Sequence, residues 1–140
     1  GVELVSIHGP FSLVTEYMEK SFFDDSDIDP TMSGYYMTVG YFLTGESKKY
    51  KASTGKFSRQ KPKSPITSGG KGAWQLLAQI ERADFNDNGL PGGEVDAVTL
   101  GVNWWPTAYT RLMLNYVKYD LSGEQKDYGD HVGVRFAIDW

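Results

Sequence analysis

Residues 131–140 read HVGVRFAIDW. Val132, Val134, Phe136, Ile138 and Trp140 share one parity, while His131, Gly133, Arg135, Ala137 and Asp139 take the other. Successive side chains of a strand point to opposite faces, so a period of two marks a strand with one apolar and one polar face. The same pattern recurs upstream. Val98, Leu100, Val102 and Trp104 oppose Thr99, Gly101 and Asn103; Leu112, Leu114 and Tyr116 oppose Arg111, Met113 and Asn115. Trp74, Leu76, Ala78 and Ile80 oppose Gln75, Gln79 and Glu81, with Leu77 breaking the rule. Around Tyr35–Thr44 both parities are fairly apolar, and the facing of the first run, 2–8, is left open.

The alternation predicts seven strands, at about 2–8, 11–20, 33–45, 72–85, 94–105, 109–121 and 130–140. Globular strands usually run about five or six residues, whereas strands tilted through a bilayer need about 9–11. Most of these runs belong to the second class. Their connections alternate. Gly9-Pro10 and 106–108 are tight turns, while 21–32, 86–93 and 122–129 are longer and rich in Asp, Gly, Ser and Asn. Short turns on one side and long loops on the other are the arrangement of outer-membrane barrels.

Composition narrows the function classes. The 140 residues include no Cys, which removes disulfides and thiolate chemistry, and two separated histidines, His8 and His131. A net charge of −4 gives no general pull towards nucleic acid. Aromatics reach 14% although the mean hydropathy is negative, as expected when a polar lumen face dilutes a lipid face. Behind Gly1 there is neither a basic n-region nor an apolar h-region, so no signal peptide is read, and the expectation is a processed chain or a piece of a longer one.

Strand direction can be set against the tryptophans. If the last strand runs towards the periplasm, Trp74, Trp104 and Trp140 all fall at one rim on the apolar parity. That is the expected place of an aromatic girdle in the headgroup layer; three core tryptophans of a soluble sandwich are the bland alternative. Acting against the pattern of short turns on that side, 46–71 is long and basic. It holds Lys48, Lys49, Lys51, Lys56, Arg59, Lys61, Lys63 and Lys71, eight of the fourteen basic residues, against Glu46 alone.

Four stretches resemble the phosphate-selective porin O and P family: 33–50 (SGYYMTVGYFLTGESKKY), 55–62 (GKFSRQKP), 72–87 (GAWQLLAQIERADFND) and 99–120 (TLGVNWWPTAYTRLMLNYVKYD). HGPFSLVTEY at 8–17 looks like a hairpin of the same family. The resemblance is to the C-terminal part of such porins. It implies an all-β antiparallel transmembrane barrel of 16 strands, of which this chain gives about seven. It further implies a homotrimer in the Gram-negative outer membrane, passing small anions such as phosphate or polyphosphate, with no cofactor and no enzymatic step.

Anion passage needs positive charge and donors facing water. On the polar parity, Arg111 and Arg135 are the candidates, with a salt bridge to Glu81 or Asp139 as the competing use. Lys56, Arg59, Lys61 and Lys63 of 46–71 are expected to approach the water path if the segment folds back into the lumen; a solvated basic loop is the alternative. The acidic loop at 21–32 (Asp24, Asp25, Asp27, Asp29) lies on the opposite side. Asp84, Asn86, Asn88 and Gly89 resemble the start of a calcium loop, but its twelfth position falls on Val95 and no helices flank it, so an ordinary loop is the reading. Two other functions compete: a soluble all-β binding module, and a plugged barrel acting as a membrane scaffold. The first would bury Tyr41, Leu76, Ile80, Leu100, Leu114 and Phe136; a barrel wall exposes them.

Overall fold

The computed structural model describes residues 1–22, 29–87, 90–124 and 126–139. Its strands are β1 (Val2–His8), β2 (Phe11–Ser21), β3 (Thr31–Phe42), β4 (Tyr50–Lys51), β5 (Lys56–Phe57), β6 (Ala73–Asp87), β7 (Leu90–Trp105), β8 (Thr110–Ser122) and β9 (Asp127–Ile138). Seven of them form one sheet in the order β1-β2-β3-β6-β7-β8-β9, and every neighbouring pair is antiparallel. All seven expected strands are present. The sheet is an open section, with β1 and β9 at its edges.

Register lines up the two parities across the whole sheet. One face carries the row Phe11–Tyr41–Leu76–Val102–Leu114–Val134 and, above it, Leu13–Val39–Ala78–Leu100–Tyr116–Val132. The six residues that separate a sandwich from a barrel wall are 43% to 59% exposed. A soluble core would take such side chains out of water. Here buried apolar residues are few among the described residues: Val14, Phe42, Ala73 and Ala97. The sheet therefore presents an apolar outer face rather than enclosing one.

That face has limits. Trp74 and Trp104 close it below, and the row Tyr17–Tyr35–Arg82–Asp96–Asp120–Tyr128 closes it above. At roughly 3.4 Å per residue, Trp74 to Arg82 covers about 27 Å along the strand. A tilt of about 40° brings this to about 21 Å, near the ~25 Å apolar band of outer-membrane barrels. The tyrosines of the upper row form a second aromatic line that the sequence analysis did not single out.

Two expectations need correction. The stretch 86–93, read as a loop, is mostly strand: Asn86 pairs with Pro91 and Asp87 with Leu90, after a register irregularity between Asp84 and Asn86. Polar side chains hold this overshoot, with Gly93 N–H donating to Asn86 Oδ1 (2.9 Å) and Asn86 N–H to Asp84 Oδ1 (2.9 Å). Asp84 and Asn86 are thus used by the hairpin itself; Asn88 and Gly89 lie outside the described residues. The segment 46–71, in which no strand pattern was read, contains the small β4–β5 hairpin and a 3-10 turn at Ile66–Ser68. In the acidic loop, Asp24, Asp25 and Asp27 lie outside the described residues, and Asp29 is exposed.

Candidate anion pathway

The second parity makes the inner face. Near the middle runs the row Ser12–Gly40–Leu77–Gly101–Asn115–Gly133. Below it lie Phe42, Gln75, Asn103, Met113 and Arg135 in one row. Trp105 and Arg111 come next towards the rim. The glycines matter sterically. A Cβ on Gly40 would stand 2.7 Å from Gln75 Nε2 and 2.9 Å from Ser12 Oγ, so the long polar side chains lie flat across the bare backbone. Asn103 Nδ2 donates to Gln75 Oε1 at 3.2 Å, which fixes the two buried amides.

The basic segment is anchored from its start. Glu46, only 2% exposed, accepts from Thr44 Oγ1 through one oxygen and from the Lys63 backbone N–H (2.9 Å) through the other. Thr44 Oγ1 in turn accepts from the Trp74 N–H at 3.0 Å. A second tie joins Ile66 N–H to the Pro106 carbonyl at 3.0 Å, in the turn between β7 and β8. Leaving such a carboxylate buried without its donors would cost the full desolvation of a charge, so these bonds are what make its burial tolerable. The pinning brings Lys48, Phe57, Ser58, Arg59 and Gln60 onto a cavity of about 760 Å³ whose other wall is the inner face, with Leu77, Trp105, Arg111, Met113 and Arg135.

Aromatic rings brace three of the four cations there. Lys48 Nζ lies 4.8 Å from the centre of the Phe57 ring, the Arg59 guanidinium 4.8 Å from Tyr109, and that of Arg111 4.8 Å from Trp105. Trp105 itself leans on Phe42, with ring centres 5.5 Å apart. A ring face attracts a cation through its quadrupole and fixes it without cancelling its charge. Among the described residues, none of the four cations forms an ion pair; the ion pairs present join Arg82 to Glu94 and Asp96 on the outer face. Glu81 is engaged by Gln79 Nε2 at 2.6 Å. Asp139 shares the wall as the local acid. Burial pulls the pKa of the half-buried Lys48 ammonium down, and the Arg111 charge adds to that shift.

Of the expected pathway residues, the structure brings Arg59, Arg111 and Arg135 onto one cavity. Arg135 stands opposite Met113, one row from Arg111. Lys56, Lys61 and Lys63 are exposed and stand off its wall, with Lys63 Nζ donating to the Gly45 carbonyl. Trp74 and Trp104 face each other at one rim, whereas Trp140 lies outside the described residues. Sequence reasoning missed Lys48 and Glu46. For Glu46 a signal existed, since it is the lone acid of a basic segment; for Lys48 none did.

The family model for phosphate-selective porin O and P matches residues 1–140. An uncharacterized protein of Caulobacter vibrioides is 38% identical over 118 residues, covering 79% of this chain and 24% of that protein. Porin O of Pseudomonas aeruginosa is 29% identical over 148 residues, covering 98% of this chain and 33% of that protein. The chain thus spans about a quarter to a third of the length of these relatives. With a family match along its whole length and an antiparallel sheet apolar on one side and polar on the other, this chain belongs to the phosphate-selective porin O and P family.

Proposed function

We propose that the chain forms part of the wall of an outer-membrane porin through which small anions, phosphate among them, diffuse passively. The observation that carries this reading is the cavity where Lys48, Arg59, Arg111 and Arg135 meet without a contact ion pair among the described residues, on the sheet face opposite the apolar band. Charges of one sign around a partly dehydrated path attract counter-ions and repel co-ions. Lys56, Lys61 and Lys63 lie outside the cavity and supply a general positive field on its approach. Sheet edges cannot stand open in hydrocarbon, so further strands beside β1 and β9 complete the barrel. We take that barrel to be 16-stranded and assembled as a homotrimer in the Gram-negative outer membrane, with Trp74 and Trp104 at the periplasmic lipid interface.

The test is reversal-potential measurement on the full-length porin in planar bilayers. Arg59→Glu is expected to reduce anion over cation permeability strongly, and Lys61→Glu weakly, because only Arg59 stands on the cavity. Unchanged selectivity in Arg59→Glu and Arg111→Glu together would remove this cavity from the conduction path. A porin with no measurable conductance would favour the plugged-scaffold reading instead.

A further inference from the structure

The inner parity of a bore for hydrated inorganic ions should be polar, yet this cavity mixes its cations with apolar side chains. Leu77, Met113 and Trp105 stand on the water-facing parity and line the same cavity as the cations, and Phe57 enters from the basic segment. Met113 sits directly opposite Arg135, and Arg111 lies two residues away on the same face of β8. Gly101, opposite Leu77, lets the Leu77 and Asn115 side chains pack across its bare backbone; a Cβ there would stand 2.4 Å from Asn115 Oδ1 and 2.9 Å from Leu77 Cγ. Apolar groups set beside cations suit a solute that is itself divided into a charged head and an apolar body.

We infer that this cavity is a binding site for aromatic carboxylates, which deepens the anion-porin reading and rests on it. The head would sit between Arg111 and Arg135. Arg111 lies over Trp105, and a guanidinium so stacked keeps its N–H edge available for a carboxylate fork. Its buried Nε has no acceptor among the described residues. The body would lie on Met113 and Leu77, gaining from apolar area removed from water. Asp139 stands nearer the rim on the same wall, one acid against the four cations of the cavity lining, so the net charge around a carboxylate head is positive. About 760 Å³ holds a single-ring acid with water around it.

The experiment compares benzoate with acetate, which share a head and differ by a ring, as blockers of single-channel chloride current through the full-length porin in planar bilayers. Benzoate is expected to block at a concentration lower by a factor of about ten. Leu77→Gln and, as an independent variant in case the first fails to assemble, Met113→Gln are expected to bring that ratio towards one. Equal block by the two acids, or a ratio unmoved by both variants, would overturn the inference. In both cases a chloride-over-potassium preference in the same membrane leaves the porin reading standing. Loss of that preference in the unmodified porin would bring down the porin reading itself.

Discussion

Trp74 and Trp104 stand directly opposite each other on β6 and β7, their rings 5.4 Å apart and 24° from parallel. Both indole N–H groups converge on one acceptor, the Lys71 carbonyl, at 3.1 and 2.9 Å. A stacked aromatic pair contributes about 0.5–1.5 kcal/mol beyond its area burial, and each indole bond about 1 kcal/mol more. Trp104→Ala in the full-length porin removes the stack and one of the two indole bonds, and is therefore expected to lower unfolding stability by about 1.5–2.5 kcal/mol, read from urea unfolding in lipid vesicles. A change within about 0.5 kcal/mol, the size of an ordinary surface substitution, would show that the pair carries no such weight.

The apolar band makes a sharper demand. Leu100 lies in the middle of the outer face and Thr99, its chain neighbour, on the inner one. A Leu100→Arg change puts a charge into hydrocarbon at a cost of roughly 2–4 kcal/mol. Thr99→Arg puts the same charge into water. Folding yields into vesicles should fall steeply for the first and little for the second, while anion selectivity should rise only in the second. Equal damage by both would mean that the faces are assigned the wrong way round.

This contrast also explains what could be read in advance. Lipid on one side and water on the other impose uniform chemistry along each face, so period two survives in β6 to β9 even without long apolar runs. Leu77 broke the pattern because it belongs to a cavity wall, which alternation cannot announce. The overshoot of β6 and β7 through Asn86 and Pro91 was hidden by turn-like composition, since in water backbone pairing does not need apolar side chains. The meeting of Lys48 and Arg59 with Arg111 and Arg135 depends on the path of 46–71. That path is set by Glu46 reaching Lys63, a contact across 17 positions that no local pattern encodes.

Glu46 supplies the third test. Glu46→Ala removes the acceptor for the Lys63 N–H and the Thr44 hydroxyl. Bonds of this charged kind contribute about 1.5–3 kcal/mol each at most, enough to free the segment without unfolding the sheet. Trypsin should then cut after Lys56 or Lys63 faster than in the parent, and open-channel current should become noisier as the segment moves on the cavity. Cleavage and noise both at parental levels would leave Glu46 with no anchoring role.

Lys48 links the cavity to pH. Its ammonium is shifted below the ordinary lysine range, first by burial and then by the Arg111 charge. As pH rises through that lowered value, the cavity loses one positive charge. Anion selectivity should therefore step down at a pH below that of ordinary lysines, and Lys48→Met should remove the step, with Lys49→Met as the control. Stability moves the other way. Between the lowered folded value and the unfolded one, the unfolded chain binds more protons than the folded chain, so unfolding free energy rises with pH across that window. Selectivity falling while stability rises is a signature that a general alkaline loosening of the barrel would not produce, because loosening lowers both. A single selectivity step in the ordinary lysine range, unchanged in Lys48→Met, would place Lys48 outside the conducting path.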